Sequence, residues 1–135
     1  EVRISYAEPW VRVHLNAIQT AYRSAPFFDY CYPEIESIIT AQPERLLDMN
    51  EQLRTFIAKR LKLETSFSVS ENYQLLEGEQ DAREWFSPKQ KTPEQISYVQ
   101  VFYEKFGFIP DLSILDLLMN DLTGAKDYLK QQSPR

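Results

Sequence analysis

Trp10, His14, Ile18 and Tyr22 recur every four residues, with Val11 and Leu15 beside them. That spacing is one stripe of an amphipathic helix and predicts a helix over residues 9–23. Ser24-Ala25-Pro26 ends it, because the residue before a proline is pushed out of the helical region. Phe27, Phe28, Tyr30 and Tyr32 then read as an aromatic connector, with a short helix over 33–40. Pro9, Pro33, Pro43 and Pro93 each stand where a helix is expected to open, since proline suits the first helical position. The clearest helix is predicted over 43–62: Leu46, Leu47, Leu53, Phe56, Ile57 and Leu61 face inward, while Glu44, Arg45, Glu51, Arg54 and Lys59 lie mostly outside. Thr92-Pro93-Glu94-Gln95 reads as a capping box. The helix it opens carries Ile96, Val99, Phe102, Tyr103 and Phe106, and Gly107 is its natural terminator. Asp111 is the expected cap of a helix over 112–119 that is apolar almost all round, and a last short helix follows over 124–130.

Strand signals are fewer. Residues 2–6 alternate like an edge strand and 65–70 like a second. Residues 70–91 are acidic and irregular, with a short helix or turn near 81–86. The fold expected is mainly α with minor β (α+β): a compact bundle of five or six helices packed around the 112–119 helix, with one or two short strands. At 135 residues the expectation is a single domain over 1–135. A chain that opens inside a strand is expected to be part of a longer one.

Composition narrows the partners. Apolar residues make up 43% and charged residues 26%, a globular balance. The net charge of −5 argues against nucleic acid or an anionic membrane surface, which would repel the chain at long range. One cysteine excludes a disulfide framework and a multi-cysteine zinc site. No apolar run approaches the length of a membrane span, so no transmembrane segment is expected and the default is a cytoplasmic protein. Three glycines in all exclude the familiar phosphate loops, and no metal site or cofactor is expected.

His14 is the sole histidine. It is either packed at the core edge, bonded to backbone or a tyrosine, or a general base or substrate contact at a pocket rim beside Trp10 and Tyr22. Ser113, Asp116 and Asn120 share one face of the apolar helix; they form either its watered side or the lining of a polar cavity. Asn50 and Gln100 interrupt apolar stripes, and each is a structural bracket or a substrate contact, because buried amides must be paired. Cys31, with no base in local register, reads as an inert thiol.

Longer motifs resemble a known family. Trp10-x3-His14-x3-Ile18-x3-Tyr22 followed by Ala25-Pro26-Phe27-Phe28-x-Tyr30 resembles the first block of the WbqC-like family. Tyr98-Val99-Gln100-Val101-Phe102, Phe106-Gly107-Phe108-Ile109-Pro110 and the run from Leu112 through Ser113, Asp116 and Asn120 resemble its closing signature. The segment 47–50 and Asp81-Ala82-Arg83 with Ser87-Pro88-Lys89 also fit. Gly124 departs from the pattern, since the family's glycine directly follows its Asn–acid pair.

The resemblance implies that these residues are the C-terminal, mainly helical part of a longer chain. It also implies a role in surface-polysaccharide (O-antigen) biosynthesis, as a transferase of acyl or aminoacyl groups to amino sugars. The substrates would be a sugar nucleotide and a carrier-bound acyl donor. The catalytic residues would be His14, as the base for the sugar amine, and Asp116. Asp116 with Gln100, Ser113 and Asn120 would orient the sugar or the donor, and Trp10 and Tyr22 would wall the pocket. The alternative is a non-catalytic helical domain that binds a ligand or a protein. A homo-oligomer joined through Phe27 and Phe28 is a further expectation.

Overall fold

The computed structural model describes residues 2–68 and 95–132. They form six helices: α1 (Trp10–Tyr22), α2 (Phe28–Thr40), α3 (Leu46–Arg60), α4 (Tyr103–Phe106), α5 (Ile114–Asp121) and α6 (Ala125–Gln132). The acidic stretch, the turn near 81–86, the end of the second expected strand and most of the capping box lie outside the described residues.

The α1 stripe forms as its spacing predicts, and Leu15 is its deepest residue. The largest departure is α2, which begins at Phe28 rather than Pro33 and carries the proline inside it. Phe28, Cys31, Tyr32, Ile35 and Ile39 recur at helical spacing and are all buried. Each buried side chain of this size contributes about 1.5–3 kcal/mol, against roughly 3 kcal/mol for a proline inside a helix. The stripe therefore outweighs the proline, whose ring sits on the exposed side. Within the same turn and helix Phe28, expected to be exposed, is buried, and Phe27 is half-buried.

α3 starts later than predicted because residues 44–46 are engaged elsewhere. Ile4 N–H donates to the Glu44 carbonyl (2.9 Å) and Leu46 N–H to the Val2 carbonyl (3.1 Å). Arg3 and Arg45 form an isolated antiparallel bridge. Among the described residues this is the whole β component, so the expected short strands reduce to one bridge. Leu46 and Leu47, expected to face inward, are 37% and 46% exposed, whereas Phe56 and Leu61 reach the core. Phe67 lies against the Arg54 guanidinium, 3.7 Å from its ring centroid.

Residues 95–102, expected to be helical, are not. Gln95 exchanges two hydrogen bonds with Asp111 (2.8 and 3.2 Å), and Gln100 exchanges two with the backbone of Ile109 (2.9 and 2.8 Å). Two glutamine side chains thus hold 95–100 beside 109–111, in place of either a helix or a strand ladder. Only α4 remains helical in this segment, closed by Gly107 at φ 69°, a conformation that suits glycine. Ser113, not Asp111, caps α5: its hydroxyl accepts from Leu115 N–H.

α2 packs on α1, α3 and α5, and α5 packs on α6. The centre of the bundle is therefore α2 and not the 112–119 segment. α5 still buries Asp116, Leu117, Leu118 and Met119. No described helix is long and apolar enough to cross a membrane.

Candidate functional site

Two open clefts and one buried polar cluster lie around the α1–α2 hairpin. The first cleft, about 410 Å³, follows the α1–α2 seam. Glu8, Arg12, Asn16 and Gln19 line it from one side and Tyr32, Glu36 and Thr40 from the other. Gln19 Nε2 donates to the Tyr32 hydroxyl (2.6 Å), which donates to Glu36 Oε1 (3.0 Å). Burial pushes the Tyr32 hydroxyl above its ordinary value; Glu36 adds to the shift, against Gln19.

The second cleft, about 380 Å³, opens where the hairpin turns. Ser24, Pro26 and Asn120 meet Val99, Gln100, Val101, Tyr103 and Glu104 there. Both ends of the Gln100 amide are engaged by Ile109, so Gln100 is a bracket that also forms wall. Asn120 Nδ2 donates to the Asp116 backbone carbonyl (2.8 Å), and its side-chain oxygen has no partner among the described residues.

Asp116 is 3% exposed. Its carboxylate accepts from the Tyr98 hydroxyl (2.7 Å). Tyr22 stands on the same carboxylate: burial first, then the Asp116 charge and hydrogen bond, push its hydroxyl up to about 12. Tyr98 is likewise raised, chiefly by burial, and its ring meets Tyr128 and Phe108 edge-on. The cluster ties the end of α1, the 98 segment and α5 together.

The residues singled out in the sequence thus separate into groups. Gln100 and Asn120 share the second cleft; Asp116 and Tyr22 share the buried cluster. Ser113 is an exposed helix cap. His14 is exposed; its Nδ1 donates to the Trp10 carbonyl (3.0 Å) and its ring meets the indole edge-on at 5.3 Å. Trp10 in turn stacks on Tyr6 and donates from Nε1 to the Ser5 carbonyl. Neither His14 nor Trp10 lines either cleft. With a rise of about 1.5 Å per residue, His14 stands roughly 12 Å along α1 from Tyr22. A turn of about 100° per residue also puts it some 140° around the helix from Gln19. Asn50 is exposed on α3. Cys31 is fully buried beneath Leu118, and burial pushes its thiol up.

Sequence reading missed the first cleft. Its signal is the spacing Tyr32, Glu36, Thr40, one face of a helix, which is invisible while Tyr32 is assigned to a connector ending at Pro33. Among the described residues no group of three or more His, Cys, Asp or Glu side chains is arranged to hold a metal ion.

Residues 1–92 match the model of a family described as the WbqC-like protein family. That span contains the Trp10–Tyr30 block and every residue of the first cleft. The 98–120 signature, with most of the second cleft, lies beyond its end. No curated protein matches the chain, and no solved structure does.

Proposed function

The chain belongs to the WbqC-like protein family, and on that premise we propose that it acts in surface-polysaccharide synthesis as a transferase, joining an acyl or aminoacyl group to an amino sugar. The sugar ring of a sugar nucleotide occupies the second cleft, with its diphosphate outside the cleft and away from Glu104, and a carrier-bound acyl donor meets it from the solvent side. One observation carries the reading: Gln100 and Asn120, drawn from separate segments, meet at a single cleft. The Asn120 side-chain oxygen, Ser24, the Tyr103 hydroxyl and the Glu104 carboxylate are the groups left to contact sugar hydroxyls and amine. The amine nitrogen attacks the acyl carbonyl, a C–N bond forms and the bond to the carrier breaks. The amine proton passes through Glu104 to the departing carrier. The base expected at His14 is, in this reading, Glu104. Asp116 is a positioning residue, anchoring Asn120 through its carbonyl and the hairpin through Tyr22.

Calorimetric titration with nucleoside-diphosphate-linked amino sugars tests this. Saturable binding should weaken about tenfold in Asn120→Ala and in Glu104→Gln, a loss of roughly 1.4 kcal/mol, and stay unchanged in His14→Gln. Wild-type affinity in both cleft variants, or no binding at all, sinks the reading. A second reading, a partner-binding helical domain, is favoured by Val99 and Phe106, 76% and 60% exposed. It gains if the titrations are silent while apolar-to-Ser changes at those two positions abolish capture of a partner protein.

A further inference from the structure

Two helices packed side by side normally seal their seam with apolar side chains. The α1–α2 seam does so at Leu15 and Val11, but above them it stays open and polar. α1 presents Arg12, Asn16 and Gln19; α2 presents Tyr32 and Glu36; Gln42 closes one end. These groups are ordered but not saturated. The Gln19–Tyr32–Glu36 chain of hydrogen bonds fixes one carboxylate oxygen and leaves the other without a partner among the described residues. Arg12 forms no ion pair among the described residues, and the amides of Asn16 and Gln42 are likewise unengaged there. Tyr32, the centre of the chain, is 6% exposed, so the fixed end of the network is built into the core.

We propose that this first cleft is a binding site for a polyhydroxylated ring, a monosaccharide unit. The unengaged groups are a guanidinium, a carboxylate oxygen and two carboxamides. The guanidinium donates to sugar hydroxyls and the carboxylate oxygen accepts from them, while each carboxamide is a planar fork that donates to one hydroxyl and accepts from its neighbour. Tyr6 supplies a fixed apolar wall, held by its hydroxyl on the Pro43 carbonyl (2.8 Å) and stacked on Trp10 at 5.6 Å. The charge balance excludes the obvious competitor. Glu8 and Glu36 outnumber Arg12, so a nucleoside diphosphate would meet net repulsion. A cavity of about 410 Å³ lies within the usual range for small-ligand sites. The first and second clefts share no lining residue, so this site stands whether or not the transferase reading does.

Saturation-transfer NMR and calorimetry with free glucose, galactose and mannose, with uridine diphosphate as the control, test the proposal on the whole chain. Arg12→Met and Gln42→Ala are exposed changes that leave the core intact, and Tyr32→Phe breaks the network without opening a cavity. Sugar binding in the millimolar range, weakened at least about fivefold by each of the first two variants and by Tyr32→Phe, and untouched by Glu104→Gln, is the expected result. No sugar binding overturns the proposal. So does binding of uridine diphosphate alone, or sugar binding that survives Arg12→Met and Gln42→Ala but fails in Glu104→Gln, which would assign the sugar to the second cleft. Circular dichroism of each variant separates loss of binding from loss of fold.

Discussion

Gln100 decides whether the second cleft's wall is held by its own chain or waits for a ligand. The residue is 6% exposed, and its amide closes two hydrogen bonds on the Ile109 backbone, at 2.9 and 2.8 Å. Gln100→Leu keeps the volume and removes both. At about 1 kcal/mol for each neutral bond, the cost is roughly 2 kcal/mol, softened if water reaches the freed groups of Ile109, which is 40% exposed. For a chain of this length that is a fall in Tm of about 6–8 °C. Gln100→Glu is the sharper probe. It keeps the acceptor for Ile109 N–H, turns the donor into an oxygen facing the Ile109 carbonyl, and places a charge where water is scarce. It should cost more than Gln100→Leu at neutral pH. Burial raises the introduced carboxyl's pKa in the folded state above its unfolded value near 4.3. The folded state therefore binds the proton more tightly, and stability should recover as pH falls towards that value, when the carboxylic acid regains a donor. Urea unfolding followed by circular dichroism at neutral and acidic pH gives both quantities. A Gln100→Leu protein within about 0.5 kcal/mol of wild type, or a Gln100→Glu protein whose deficit ignores pH, would refute the bracket.

The other predictions rest on single features. Tyr22 is pushed up to about 12 by burial and Asp116, and Tyr98 is raised too. The folded chain holds protons the unfolded chain releases, so stability complete below about pH 10 should fall as pH climbs towards 12. Urea midpoints across that window should flatten in Tyr22→Phe and Tyr98→Phe. Phe56, 1% exposed, should cost about 3–5 kcal/mol when cut to Ala; Leu47→Ala, at a position 46% exposed, should cost under about 1 kcal/mol. Equal losses would mean that α3 starts where the sequence pattern first placed it. Pro33→Ala should stabilise by roughly 2 kcal/mol: about 3 from restoring a helix bond and removing the ring clash, less up to about 1 from the freer unfolded chain. A neutral or destabilising result in a thermal melt would mean α2 accommodates the ring without strain.

What was legible in the sequence depended on whether one pattern acted alone. The α1 stripe has no competing signal, and its boundaries agree with the pattern to within a residue at either end. α2 shows proline punctuation overridden by five buried side chains, a contest that single-residue rules cannot weigh. Ile96, Val99 and Phe102 carry helical spacing, yet Gln95 and Gln100 beside them bond to 109–111 instead; such pairing is long-range and leaves no periodic trace. The same split divides the candidate sites. Gln100 and Asn120 stand out as polar breaks in apolar runs, whereas Arg12, Gln19 and Glu36 look like ordinary surface residues until α2 is extended backwards through Pro33.

The α1–α2 hairpin is the element on which both clefts depend. Its seam forms the first cleft and its turn, at Ser24 and Pro26, forms one wall of the second. The turn is fixed from beneath: Phe27 N–H donates to the Met119 carbonyl (3.0 Å), Ala25 is buried, and Tyr22 stands on Asp116. α5 therefore acts on the first cleft only through the hairpin, but on the second directly, through Asn120. A change at Asp116 that loosens the turn should disturb the second cleft before the first, because the Gln19–Tyr32–Glu36 chain joins α1 to α2 across the seam without using α5.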